Sequence, residues 1–194
     1  MDVLTAISTR RSVGPVLADK PVADEVIEKL LQAACWAPNH HRSEPWRFTV
    51  FTGEGRKHLT AALVSAAKNM PKNDQYDLRL SKAEGMAKRA PVVIAVHCAA
   101  GEGPGKQPLL WEEHAAVAAA IQNLLLAAHA EGLGAIWRSG EYTESAEMQA
   151  YLGVRPEKGD RIMGFIYLGY PDPAAAEPLR PAPKSNTKTH WVRH

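Results

Sequence analysis

The stretch Ala37-Pro38-Asn39-His40-His41-Arg42-Ser43-Glu44-Pro45-Trp46-Arg47-Phe48 carries the chain from a helix end into a strand. Upstream, Val22, Val26, Ile27, Leu30, Leu31 and Ala34 recur at helical spacing, so residues 22–36 read as an amphipathic helix with Pro21 at its start. Pro38 marks its end, because proline disfavours helical backbone in the residue before it. Downstream, residues 47–52 are aromatic and β-branched and read as a strand, after which Gly53-Glu54-Gly55 turns the chain. Between the two, His40-His41 offers imidazoles, but no spaced His or Cys completes a metal-ligand set.

Two other segments carry related chemistry. Arg10-Arg11-Ser12 closes a short helix begun by Val3, Leu4 and Ile7. The planar guanidinium fork suits phosphate oxygens, and the serine adds a hydroxyl donor. Trp137-Arg138-Ser139-Gly140 ends a short apolar strand, residues 135–137, with an aromatic, a cation and a hydroxyl. Taken with the first stretch, these two suit a phosphorylated, planar aromatic cofactor.

Further helices are expected over residues 56–68 and 76–88, joined by the polar, mobile linker Met70-Pro71-Lys72-Asn73. The near-continuous apolar run 92–98 reads as a buried strand, and so does 162–168. The longest helix spans 110–131, with Gly132 as its C-terminal cap. Residues 143–152 form a helix that starts on a cap signal at Thr143. After Gly169-Tyr170-Pro171 the chain becomes a proline-rich polar tail, which needs a docking surface if it is to be ordered. Strands separated by several helices, without repeats, define an α+β chain. At 194 residues it reads as a single domain, 1–194, with 172–194 as an extended tail.

Composition excludes several classes. A net charge of +2 with no basic stripe argues against nucleic acid. Cys35 and Cys98 form no CxxC pair, which fits a reducing compartment and not zinc. Met1-Asp2-Val3-Leu4 lacks a basic leader followed by an apolar run, so the expected location is cytoplasmic. Residues 115–130 are rich in Ala and Leu, but Gln122, Asn123 and His129 interrupt them and Glu112, Glu113 and Glu131 flank them. A membrane span needs about 20 predominantly apolar residues, so this is a buried or interface helix.

Several patterns imitate active sites. Ala100-Gly101-Glu102-Gly103-Pro104-Gly105-Lys106 follows a buried strand and precedes a helix, nearly a P-loop setting. Gln107 stands where a P-loop needs Ser or Thr, and Pro104 removes a backbone N–H, so a flexible surface loop is expected. No GxSxG elbow exists. Cys35 ends an apolar helix and reads as packed. Glu112 and Glu113 are adjacent and point in different directions on a helix. His97 reads as a satisfied core histidine, and Trp137, taken alone, as core. With no evident acid, base or nucleophile, the expectation is that no side chain is catalytic and a cofactor carries the chemistry.

The boxes, in order, resemble the FMN-dependent nitroreductase family, in its short NAD(P)H nitroreductase (YdjA-like) branch. They are Arg10-Arg11-Ser12, Ala37-Pro38 leading into Pro45-Trp46-Arg47-Phe48, and Trp111-Glu112-Glu113 opening the long helix. Gly134-Ala135-Ile136-Trp137-Arg138-Ser139-Gly140 and the closing Gly164-Phe165-Ile166-Tyr167-Leu168-Gly169-Tyr170-Pro171 complete the set. The resemblance implies an α+β fold with a central, mostly antiparallel sheet flanked by helices. It implies a homodimer with FMN at the subunit interface and a C-terminal tail reaching the partner. By position, Arg10, Arg11 and Ser12 bind the FMN phosphate and ribityl chain. Trp36 and His40 lie beside the flavin, His40 in the partner's site. Trp137, Arg138 and Ser139 line it from the other side, with backbone N–H groups near Ser139 and Gly140 facing flavin N5. The implied activity is NAD(P)H-dependent reduction of nitroaromatics, quinones or similar acceptors by ping-pong hydride transfer. The alternatives are a dehalogenase, a flavin-fragmenting enzyme, a non-catalytic flavin-binding protein or, last, a P-loop nucleotide binder. Glu44 departs from the family's usual Gln before Pro-Trp. No GxGxxG fingerprint is present to separate NADH from NADPH.

Overall fold

The apolar run 92–98 has no polar alternation because both of its faces are covered. In the computed structural model, which describes residues 1–176 and 178–193, it forms β2 (Val92–Cys98), an inner strand of a four-stranded sheet. Val92, Ile94, Val96 and Cys98 pack on one side with residues of α2 (Asp24–Cys35) and α5 (Leu110–Ala130). Val93 and Ala95 pack on the other with α3 (Gly55–Asn69), α4 (Tyr76–Met86) and α6 (Ala146–Leu152). Side chains of a strand alternate between faces, so a strand buried on both is apolar nearly throughout, with His97 the one polar member of β2.

The sheet order is β1-β2-β4-β3, with β1 (Trp46–Thr52), β3 (Gly134–Arg138) and β4 (Arg161–Gly169). All three pairings are antiparallel, as expected for an α+β chain. The β2–β4 register slips between Val96 and His97, where Val96 faces Gly164 and His97 faces Ile162. Met163 is therefore the extra residue of a bulge on β4, and its backbone leaves the ladder.

Helix ends follow local chemistry. Asp2 caps α1 (Val3–Thr9) by accepting from the Leu4 and Thr5 amides, both at 3.1 Å. Glu112 reaches back to the Leu109 amide at 2.8 Å at the start of α5. Gly132, at φ +75°, turns the chain after α5. Two expectations are corrected. The cap of α6 is Ser145, whose hydroxyl accepts from the Met148 amide at 3.3 Å, while residues 141–144 form a 3-10 turn. The segment 99–108 is a largely exposed surface loop as expected, but its start is fastened and not free. The Ala100 amide donates to Asp160 at 2.7 Å, the Gly101 amide to Glu113 at 3.0 Å, and Glu102 pairs with Arg47 at 2.8 Å.

The described part of the tail runs in the open, with Leu179 99% exposed and Trp191 and Val192 also exposed. Glu177 and His194, which belong to the expected 172–194 arm, lie outside the described residues. Among the described residues, no helix is long and apolar enough to cross a membrane.

Candidate functional site

The structure brings the first and third cofactor segments together. α1 is held to the C-terminal end of α5 by a 2.8 Å hydrogen bond between the Thr9 hydroxyl and His129 Nε2. Arg10 then leaves the helix in extended conformation, and the chain runs beside β3, where the Val13 amide donates to the Ala135 carbonyl at 3.0 Å. Gly134 permits that approach, since a Cβ there would lie 2.9 Å from the Val13 side chain. A Cβ on Gly14 would stand 3.5 Å from the Arg138 guanidinium. Arg10, Arg11, Ser12 and Arg138 thus border one edge of the sheet.

The two arginines of the first box have different duties. Arg11 Nη1 donates to the Ser8, Thr9 and Arg10 carbonyls at 2.9, 2.9 and 3.1 Å, so it closes the C-terminus of α1. Arg10 is half-buried, and its pKa is pulled down by burial and then by the cations Arg180 and Arg11. Among the described residues, the charges acting on it are positive, and an arginine stays charged. A half-buried cation among cations is stabilised by a bound anion. Arg180 was not legible in the sequence, because it stands alone in a proline-rich tail without periodicity.

Trp137 is 38% exposed, which makes it neither core nor free surface. Its indole N–H donates to the Met163 carbonyl at 2.9 Å, the carbonyl that the bulge takes out of the ladder. Gly164 makes room for this contact. It sits at φ +140°, and a Cβ there would fall 2.5 Å from both Trp137 Nε1 and the Arg138 carbonyl oxygen. Gly164→Ala should therefore cost about 2 kcal/mol or more through backbone strain, and it should free the indole. Urea unfolding and the tryptophan emission of the variant check this; unchanged values for both would remove the role assigned to Gly164. Beyond Trp137, Ser139 and Gly140 open onto a cavity of about 500 Å³ that also includes His114, Thr143, Arg161 and Met163 in its wall.

The second segment is elsewhere. His40 Nδ1 lies 3.1 Å from Glu112 at the start of α5, whereas the first segment is tied to His129 near its end. At about 1.5 Å per residue, these points on α5 are about 25 Å apart. His40 stacks on His41 with ring centroids 4.4 Å apart. His41, Arg42 and Glu44 take positive φ angles of 54°, 55° and 43°, which is unusual for residues other than glycine. Asn39 holds the turn by accepting from the Glu44 amide at 3.0 Å. A shallow cavity of about 420 Å³ lies between Pro38, His40, Trp111 and the Ala115–Ala119 face of α5. Trp36, which ends α2, is 79% exposed. Glu44 is exposed, and its charge adds to the burial that raises the Cys35 thiol pKa.

Two further expectations are corrected. Cys35 is exposed, because α2 turns that position away from the core. His97 is buried, but its Nδ1 has no hydrogen-bond partner among the described residues, so it is not satisfied. Cys98 is buried, and burial, with Glu113 and Asp160 nearby, pushes its thiol up to about 12. The Glu112–Glu113 divergence holds: Glu113 is buried against the Gly101 amide while Glu112 faces His40. Among the described residues, no group of three or more His, Cys, Asp or Glu could hold a metal ion.

The site is thus an edge of a bulged antiparallel sheet in an α+β protein, carrying an aromatic side chain and a group of arginines. The sequence profile of the nitroreductase family matches residues 7–170, and the chain belongs to that family. It is 36% identical over 171 residues to the Escherichia coli (strain K12) protein named "Putative NAD(P)H nitroreductase YdjA", covering 88% of this chain and 89% of that one. A nitroreductase-like family protein from Bacillus cereus superimposes with a TM-score of 0.82 at 30% identity, covering 99% of this chain and 96% of that one. A Desulfovibrio desulfuricans structure described as "a putative nitroreductase in complex with fmn" gives a TM-score of 0.69 at 29% identity, with coverages of 93% and 92%.

Proposed function

We propose that this chain is an FMN-dependent oxidoreductase that draws on NAD(P)H to reduce nitroaromatics, quinones or similar acceptors, and that it acts as a homodimer. The observation that carries this reading is the half-buried Arg10, whose charged neighbours Arg180 and Arg11 are also cations, at the sheet edge formed by β3, the strand that carries the half-exposed indole of Trp137. The residues present fit FMN. Arg10, with Ser12 and Arg180, would hold its phosphate. Arg11 would do so more weakly, since Nη1 is spent on α1. Trp137, Arg138 and Ser139 would line the ring, with the Ser139 and Gly140 amides at its edge. When bound, FMN supplies the two-electron chemistry that links NAD(P)H to the acceptor. The protein's part is to bind, orient and shield. A cytoplasmic setting fits, because NAD(P)H is supplied there.

The separation of the second segment supports a shared site. His40 cannot serve the Arg10 site of its own protomer from about 25 Å along α5, and in a dimer it would serve the partner's, with the exposed Trp36 beside the same interface. Val3, Leu4 and Ile7 of α1, Trp111 of α5 and Trp36 are all exposed, which is the apolar surface an interface would cover. We infer that 1–194 is one domain whose 172–194 arm lies on the partner. An obligate interface of this kind buries above about 2,000 Å².

Light scattering with flavin absorbance, on FMN-reconstituted wild type and on a chain ending at Pro183, tests the proposal. Wild type should be a yellow dimer, and the truncation should lose dimer mass and flavin together. A wild-type monomer holding FMN would contradict the shared site, and a colourless dimer would contradict the cofactor. A truncation that changes neither quantity would remove the role of the arm.

A further inference from the structure

We infer that the pocket between the start of β1 and the loop before β4 is a second anion site, built for a small tetrahedral oxyanion of the phosphate class and held closed by Glu102. It lies at the edge of the sheet opposite β3, and it does not depend on the flavin reading. Its volume is about 410 Å³, and Arg47, His97, Glu102, Arg155 and Asp160 supply its charged and titratable groups.

The two arginines are fixed by the fold. Arg47 stands on β1 directly across from His97 on β2, and its Nη1 donates to the Glu44 and Trp46 carbonyls at 3.0 and 2.9 Å. Arg155 is held by Asp160, whose side chain is 1% exposed. Asp160 is fully committed. It accepts from the Ala100 amide at 2.7 Å, the Arg155 amide at 3.1 Å and Arg155 Nε at 2.7 Å. Glu102 is the detachable member. It is exposed, it lies between Gly101 and Gly103, and it bridges Arg47 Nη2 and Arg155 Nη2 with one oxygen each. Exposed ion pairs of this kind contribute at most about 1 kcal/mol each. A side-chain rotation, without movement of the loop, releases both guanidiniums toward the pocket.

His97 decides the ligand class. It is 8% exposed and lines the pocket, and its Nδ1 is buried without a partner among the described residues. We assign the proton of the neutral imidazole to Nε2, the ring nitrogen that is not among the buried unpartnered atoms, and the lone pair to Nδ1. The imidazole therefore offers a third donor beside the two guanidiniums. A carboxylate has two oxygens, and the Glu102 carboxylate already spends both on the arginines. A tetrahedral oxyanion has a further oxygen for His97. Glu102 acts as an internal stand-in for that anion, and it sets the concentration at which the anion enters.

Calorimetric titration of inorganic phosphate into the full chain tests this. Wild type, Glu102→Gln, Glu102→Gln/Arg47→Gln and Glu102→Gln/Arg10→Ala are compared, each checked for native circular dichroism. Glu102→Gln should bind phosphate at least tenfold more tightly than wild type. Adding Arg47→Gln should abolish the gain, and adding Arg10→Ala should leave it intact, which separates this pocket from the Arg10 cluster. Equal affinity in wild type and Glu102→Gln would overturn the inference, as would a gain that survives Arg47→Gln. Succinate binding more tightly than phosphate to Glu102→Gln would overturn the tetrahedral assignment.

Discussion

Arg10→Ala is expected to weaken FMN binding roughly ten- to a hundredfold. A hydrogen bond to a charged group contributes roughly 1.5–3 kcal/mol, and a tenfold change in affinity corresponds to about 1.4 kcal/mol. Arg10 should sit at the upper end of this range, because it is half-buried and, among the described residues, the charges acting on it are cations. Arg11→Ala should cost less affinity and more helix stability, since its Nη1 closes α1. Arg180→Ala should fall between them. Fluorescence titration of apoprotein with FMN measures all three. Wild-type affinity in Arg10→Ala would show that the phosphate is held elsewhere.

Asp160→Ala is expected to cost about 1–3 kcal/mol of stability for each buried donor it leaves without an acceptor, because the Asp160 side chain is buried while its partner Arg155 is part-exposed. It leaves the Ala100 and Arg155 amides without their acceptor and frees Arg155. Burial alone would raise the Asp160 pKa, but the hydrogen bonds from Arg155 and from the Ala100 and Arg155 amides outweigh it, so the pKa lies below the ordinary value. Its contribution is then complete above the unfolded-state value of about 3.9 and is lost as pH falls through the lower folded-state value. Urea unfolding near neutral pH should show the full deficit in Asp160→Ala. The difference from wild type should shrink in strong acid. A neutral-pH deficit under about 1 kcal/mol would show that the cluster does not fasten the 99–108 segment.

Elements with a strong local signal were legible in the sequence. β2 matches its near-continuous apolar run in extent, because burial on both faces favours apolar side chains at successive positions. α5 follows the Ala/Leu stretch and ends where Gly132 allows the turn. The cap at 143–145 was ambiguous because Thr143 and Ser145 both qualify. Tyr142, buried with its hydroxyl on the Arg79 carbonyl, fixes the preceding turn and leaves Ser145 as the cap. The bulge at Met163 could not be read, since it depends on how β2 and β4 pair and not on composition. The site residues were legible as chemistry and not as geography. The contact of the first box with β3 is a long-range backbone pairing, and the distance of His40 from it is set by the length of α5. Arg180 and the orphaned His97 nitrogen leave no trace in residue spacing, because both arise from tertiary packing alone.

The central claim is that the Arg10–Trp137 edge holds a flavin that takes electrons from NAD(P)H and gives them to a small acceptor. Anaerobic rapid mixing of FMN-reconstituted protein with NADH or NADPH, followed by nitroaromatic or quinone, tests it most directly. The account predicts that the flavin's visible absorbance bleaches with at least one nucleotide and returns when acceptor is added, with both phases lost in step with bound flavin in Arg10→Ala. A flavin that stays oxidised with both nucleotides, or that bleaches and is not reoxidised by any acceptor, would contradict it.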